Sequence, residues 1–487
     1  KCNYSMKITP VLHILSILVM PLAGFMLLSG LVDLYYSNNN WINFFSSAVI
    51  TLFLGMSVFL ATRMKSEQNL DLRQAFVLTT MSWVTIALFG SLPFFLSTTG
   101  LSITDSFFES MSGITTTGST VIVEIEISPP GILVWRSLLQ WLGGIGVIVM
   151  AIAIFPMLSV GGMQLFKTEN FETPEKVIPR ATSLARGIFI LYSILTLIWA
   201  LLLFLSGMPG FDSILHSMTT IATGGYSTKS NSIAAFDSSI IDWIIVFGMI
   251  VGSLPFIHYL AVTRGSFNDL INDSQVTWFL GLLCLIIVII FLLLLFNNTY
   301  NWTDAFRYAA FNVTSILTGT GYGTADFGIW GGFAPTILLL CMFIGGCAGS
   351  TTCGIRMFRI QVLASSANAQ LTRLLRPHSI VLPHYNGKPV PDNVTNAVMG
   401  FFFIYILVFA LTAGVLSVLG LDFETSISGA ATAISNVGPG LGETIGPSGN
   451  FSSLPLLAKW SLCIAMLLGR LELFTVLVLF TPSFWKL

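Results

Sequence analysis

The chain has 487 residues, of which 54% are hydrophobic and only 9% charged, with a net charge of −1 and a mean hydropathy of +0.84. A soluble domain carries about 25% charged residues, so this chain is built to face lipid. Its near-neutral charge excludes a broad basic surface for nucleic acid.

About ten membrane-spanning helices are expected, each from about 20 apolar residues. A first pair covers 10–32 and 43–62, and four more pairs follow: 73–97 with 131–158, 183–207 with 240–263, 274–297 with 333–360, and 393–419 with 455–482. Inside each later pair lies a short apolar segment opened by an acid and closed by a small-residue, glycine-ended run. The acids are Asp105, Asp212, Asp304 and Asp422. The runs contain Thr115-Thr116-Thr117-Gly118, Thr223-Gly224-Gly225, Thr318-Gly319-Thr320-Gly321-Tyr322-Gly323 and Asn436-Val437-Gly438. The aligned glycines, Gly118, Gly225, Gly321 and Gly438, are spaced by 107, 96 and 117 residues. This is a fourfold internal repeat of helix, short helix, loop and helix. It divides the chain into an N-terminal pair (1–70) and four units (71–162, 163–264, 265–376 and 377–487). Residues 1–5, which lack an initiator Met, are left aside as a tag or a processed end.

Basic residues cluster between the units: Arg63, Lys65, Arg73, Lys167, Lys176, Arg180, Arg186, Arg264, Arg356, Arg359, Arg373, Arg376 and Lys388. The positive-inside rule then places the inter-unit loops and both termini in the cytoplasm. All four glycine loops face outward, on a side rich in acids that would concentrate cations.

Segments of 10–13 residues are too short to span. Non-helical backbone at membrane depth is tolerated only in a protein interior or along a water-filled cavity. Four such loops therefore argue for one shared pore. Each acid suits the amino end of its short helix, and each carboxyl end would put partial negative charge near the axis. Glycine lets successive carbonyls turn toward that axis. Rings of carbonyls replace the hydration shell of an alkali cation, and a neutral ring favours a weakly hydrated monovalent one. The hydroxyls of Thr115, Thr116, Thr117, Thr223, Thr318 and Thr320 can add to the lining.

Together with Thr320–Gly323, which is close to the potassium-channel Thr-Val-Gly-Tyr-Gly run, five motifs carry a resemblance: Ile114–Thr120, Gln140–Gly144, Gly161–Leu165, Asn436–Glu443 and Gly469–Glu472. On them the chain is similar, over nearly its whole length, to the membrane subunits of the bacterial Trk/Ktr potassium-uptake family, nearest the TrkH branch. The resemblance implies an all-α integral membrane protein with four pore-loop repeats arranged pseudo-fourfold, plus the leading helix pair. It implies potassium as the transported ion, a homodimer in the bacterial inner membrane, and a cytosolic nucleotide-binding TrkA-like partner. The implied filter is Thr116, Thr117, Gly118, Thr223, Gly224, Gly225, Gly319, Thr320, Gly321, Asn436, Val437 and Gly438. The third loop departs from the branch in being richer in glycine.

Two gating elements are expected. Gly345, Gly346, Gly349 and Gly354, with Ser350 and Thr351, interrupt the second helix of the third unit, where each glycine disfavours helix by about 1 kcal/mol relative to Ala. The alternative for this stretch is a small-residue packing face; the resemblance implies an intramembrane loop closing the pore. Arg470 lies some twelve residues from either end of its apolar segment, where snorkelling is awkward and charge is costly. It is expected to be an electrostatic barrier facing the pore, or else the partner of Glu472. Arg356–Arg376 is a candidate docking surface for the regulatory subunit.

Two other function classes fit the sequence less well. A coupled secondary transporter typically uses inverted or parallel repeats around acids at the midplane, whereas these repeats are four, same-sided and nearly free of such acids. An enzyme needs a clustered nucleophile, base or metal set. The six cysteines (2, 284, 341, 347, 353, 463) have no CxxC pair and the five histidines are dispersed, so no such set is visible.

Overall fold

The computed structural model describes residues 6–63, 71–154, 162 and 174–486. Lys65, Lys167 and the Gly161–Leu165 motif apart from Gly162 lie outside the described residues, as do residues 1–5. Among the described residues the fold is all-helical apart from the two-residue strands His384–Tyr385 and Lys388–Pro389, which pair antiparallel. Seven helices among the described residues are long and apolar enough to cross a membrane, and two further spans are bent helix pairs. A shorter apolar helix, Phe333–Ile344, begins the remaining expected span.

The leading hairpin, Thr9–Tyr35 and Trp41–Thr62, docks on the first unit through a buried acid. Asp33 accepts hydrogen bonds from the Asn40 amide (2.9 Å) and from the Gly131 backbone N–H (2.6 Å). Gly131 is the second residue of the helix Pro130–Val149, whose N-cap is Pro129 with no side-chain cap of its own. An acid from another element thus satisfies one free amide at the positive end of that helix.

Each of the four units supplies an outer, a short and an inner helix. The outer helices are Leu72–Gly90, Pro174–Leu205, Ser274–Phe296 and Asp392–Val418. The short helices are Ile103–Ile114, Gly210–Ile221, Trp302–Leu317 and Phe423–Ser435, of 12, 12, 16 and 13 residues. The third is thus longer than the sequence suggested. Asp422 caps its helix, accepting from the Thr425 N–H at 3.0 Å. The other three acids are not caps. Asp105, Asp212 and Asp304 sit in the first turn, near the positive end of the dipole. The first helix is capped by Ser102, which accepts from the Asp105 N–H at 3.1 Å. Asp105 itself meets the Lys459 ammonium at 2.6 Å.

The inner helices all lose regularity in their second half. Pro130–Val149 runs into a π-helical turn, Met150–Ile154. Ser239–Ser253 bends by 95° before Phe256–Val262, at Leu254-Pro255. Phe333–Ile344 gives way to residues 345–356 before Met357–Leu375 resumes. Leu456–Arg470 turns by 108° into Phe474–Phe480, through Glu472 (φ 61°) and Leu473 (φ 49°) in left-handed conformation.

Candidate functional site

The four short helices end alike. The N–H groups of Thr117, Gly224, Thr320 and Val437 donate to the carbonyls of Ser112, Thr219, Ser315 and Thr432 at 2.9–3.0 Å. These six-residue closures satisfy the last helical carbonyls and swing the chain away from the helix. Each strand then repeats one dihedral pattern, with positive φ at alternate residues. The values are 52° and 88° at Thr116 and Gly118, 49° and 78° at Thr223 and Gly225, 70° and 84° at Gly319 and Gly321, and 54° and 112° at Asn436 and Gly438. Left-handed backbone costs a non-glycine residue about 1–2 kcal/mol. Gly319 avoids that cost at the position held by Thr116, Thr223 and Asn436. The glycine-rich third loop is therefore the same strand with one relaxed residue.

The strands close into a ring. A Cβ on Gly118 would strike the Gly224 carbonyl oxygen, one on Gly225 the Thr320 oxygen, one on Gly321 the Val437 oxygen, and one on Gly438 the Thr117 oxygen. Each glycine thus faces the carbonyl that precedes the next unit's glycine, in the order one, two, three, four and back to one. The inner helices obey a second repeat. A Cβ on Gly143, Gly252 or Gly469 would strike a carbonyl at the carboxyl end of the short helix of its own unit, that of Ile114, Ile221 or Ile434. On one side of the ring a pocket opens, lined by all four key glycines together with Tyr226, Lys229, Pro439 and Phe451.

On the other side lies the segment 345–354. Its ends are tied together, with the N–H groups of Ile355, Arg356 and Met357 donating to the carbonyls of Phe343, Ile344 and Gly346 at 2.9 Å. Gly345, Gly349 and Gly354 have φ of 71°, 78° and 78°, the left-handed region that favours glycine. Gly346 has no room for a Cβ against Thr352. Ser350 donates to the Cys347 carbonyl at 2.7 Å.

Thr351 is the hub of this segment. Its N–H and hydroxyl donate to the Gly252 carbonyl (3.2 and 2.9 Å). The Thr223 hydroxyl, on the second ring strand, donates to the Thr351 hydroxyl at 3.0 Å. The Thr351 carbonyl accepts from the Arg470 guanidinium (3.2 Å), which also reaches the Gly143 carbonyl (3.0 Å) and the Cys353 sulfur. A loop of the third unit thus touches the second and fourth units, which stand diagonally across the ring, and reaches the first through Arg470. Ala348 also packs in one buried cluster with Ala151 of the first unit, which stands opposite the third in the ring.

Arg470 does not pair with Glu472. That carboxylate meets Arg356 at 3.2 Å and also Arg359, and all three groups are buried. Arg356 and Arg359 therefore lock the resumed inner helix of unit three against the bend of unit four. Being buried, they are not part of an exposed docking surface, and the exposed residues of that stretch begin at Ala364 and run on through Gln370 to Arg376.

Residues 41–487 match the sequence family described as TrkH, cation transport protein. The chain belongs to the TrkH cation transport family. It is 44% identical to the Trk system potassium uptake protein TrkI of Halomonas elongata over 98% of this chain and 97% of that protein. It is 38% identical to the Trk system potassium uptake protein TrkH of Escherichia coli K12, over 99% and 100%. Its fold is similar to the crystal structure of the potassium transporter TrkH from Vibrio parahaemolyticus, with a TM-score of 0.91, 36% identity, and 99% and 100% of the two chains covered. Membership makes this TrkH-family chain a multi-pass membrane transporter rather than an enzyme.

Several residues of the site carry no repeat signal. Glu109 is one: buried, it binds Arg136 at 2.8 Å and accepts from the Val121 N–H at 2.9 Å. Arg136 in turn donates to the Ser227 carbonyl and covers the Tyr226 ring, 4.0 Å from its centroid. Gln140 and the Thr223–Thr351 contact were equally silent, because they join residues far apart in the chain.

Proposed function

We propose that the chain takes up potassium through the ring of Thr116–Gly118, Thr223–Gly225, Gly319–Gly321 and Asn436–Gly438, acting as a selectivity filter. The observation that carries this reading is the cyclic approach of each key glycine to its neighbour's carbonyl, with alternating left-handed backbone in all four strands. Such strands can present carbonyl oxygens in place of a hydration shell. The potassium uptake for which the relatives are named agrees with it.

The segment 345–354, held by Arg470, is the gate on the far side of the filter. Arg470 acts there as a latch and places positive charge in the cation path. Uptake would be driven by the membrane potential, worth about 2.3 kcal/mol per charge per 100 mV. The division into a leading pair and four pore units, two copies in the bacterial inner membrane, cytoplasmic termini and a TrkA-like regulatory partner complete the proposal. They rest on the basic inter-unit loops and on the resemblance to Trk systems.

Flux of potassium, rubidium, sodium and lithium into liposomes holding the purified chain tests the selective filter. Potassium and rubidium are expected to pass much faster than sodium and lithium. Equal sodium and potassium flux would refute it.

A further inference from the structure

The four ring strands share a backbone but not their support, and the second is the exception. Its middle residue is Gly224, where the others have Thr117, Thr320 and Val437. The space left by the missing side chain is filled from the inner helix of unit one. A Cβ on Gly224 would come to 2.5 Å from the Gln140 Cδ.

The Gln140 carboxamide is fully buried and uses both its ends on this strand. Its Nε2 donates to the Gly224 carbonyl oxygen at 2.5 Å, and its Oε1 accepts from the Tyr226 N–H at 3.0 Å. The amide therefore brackets Gly225 from behind. The Gly224 carbonyl is also the one that faces Gly118 in the ring. Among the described residues no protein donor reaches the matching carbonyls of Thr117, Thr320 or Val437. One of the four equivalent carbonyls thus already carries a hydrogen bond.

Discrimination between alkali cations depends on the number and field strength of the carbonyl dipoles and on how rigidly they are held. A donor on one carbonyl weakens its field toward a cation and fixes its direction. We propose that Gln140 is a positioning residue for ion discrimination. It holds Gly224–Tyr226 in register and tempers the one carbonyl it binds, so that the ring favours the larger, weakly hydrated ion. This rests on the filter function proposed above.

The test is liposome flux of potassium and sodium through the full chain, with Gln140→Met and Gln140→Asn beside the parent. Methionine keeps the length and volume of the side chain but removes both hydrogen bonds. Asparagine keeps the amide but falls short of the strand. Both variants are expected to lower the potassium-to-sodium flux ratio about tenfold, the size of one or two lost hydrogen bonds. The half-saturating potassium concentration should rise while maximal flux changes less than about twofold.

A Gln140→Met protein that folds normally, with parental flux ratio and half-saturation, would overturn the proposal and leave Gln140 a packing residue. Should the Gln140 variants fail to fold, Gly224→Ala becomes the reporter, because its Cβ displaces the amide without altering Gln140. An unchanged flux ratio in that variant overturns the proposal equally. If the parent itself passes both ions alike, the filter function fails rather than this inference alone.

Discussion

The ring strands and the crossing segment 345–354 are both short non-helical stretches at the centre of the molecule, and both depend on glycine. They differ in symmetry. The ring is made four times over, each strand with the same closure onto its short helix and the same alternation of left-handed residues. The crossing segment is made once, by one unit, and is held by contacts to the other three. The repeated part has the geometry a permeating ion must meet from all sides. The unrepeated part has the geometry of something that can be in the way or out of it. Its contacts are hydrogen bonds to polar groups that can re-form elsewhere, whereas each key glycine of the ring abuts a carbonyl of the neighbouring strand with no slack.

Three substitutions and one deletion sharpen this contrast. Gly321→Ser should have the largest effect. The residue sits at φ 84°, and its Cβ would enter the Val437 carbonyl. Backbone strain of about 1–2 kcal/mol adds to the collision. Potassium uptake is expected to fall by roughly a hundredfold in cells lacking other uptake systems, and near-parental uptake would break the ring geometry.

Deleting Gly346–Ser350 removes two hydrogen bonds between units, the Cys347 N–H to the Ser253 carbonyl and the Phe256 N–H to the Gly349 carbonyl. At about 1 kcal/mol each, their loss should raise flux roughly thirtyfold in liposomes. Reduced or unchanged flux in a folded deletion would show that the segment does not obstruct the path.

Arg470→Ala removes the tie between Thr351 and Gly143 but leaves the segment in place. Flux should rise by about tenfold, since bonds to charged donors are worth about 1.5–3 kcal/mol. Parental flux at equal expression would reassign Arg470 to a purely structural part.

Asp422→Ala should have the smallest effect, about 1 kcal/mol of stability from a lost helix cap. The Thr425 side chain and backbone hold the Asp422 carboxyl below its ordinary value. The cap's contribution is therefore complete above the ordinary carboxylate pKa and is lost as pH falls through the lowered folded value. Thermal unfolding of parent and variant should converge at acid pH. A difference that persists there would point to packing instead.

What could be read from the sequence follows the same division. The repeat was legible because acid, apolar turn, small residues and glycine recur at similar spacing. Arg470 stood out because an arginine deep in an apolar segment is costly. The crossing segment stood out through its glycines. The partners of these features were not legible. Glu472 lies two residues from Arg470, yet the chain bends between them, and Glu472 pairs with Arg356 and Arg359 more than a hundred residues away. Three of the four acids proved to be first-turn residues rather than caps, because the cap position three residues earlier was taken by Ser102, Pro209 or Asn301. Gln140 sat within a quoted motif, but its place depends on the absence of a side chain at Gly224 in another unit.

The central claim is that the four strands jointly bind a dehydrated monovalent cation. Anomalous diffraction from crystals soaked in rubidium or thallium, with sodium as the reference, addresses it directly. The expected result is anomalous density on the axis between Thr116–Gly118, Thr223–Gly225, Gly319–Gly321 and Asn436–Gly438, absent in sodium. Density that appears only in the outer pocket, with none between the strands, would contradict the account.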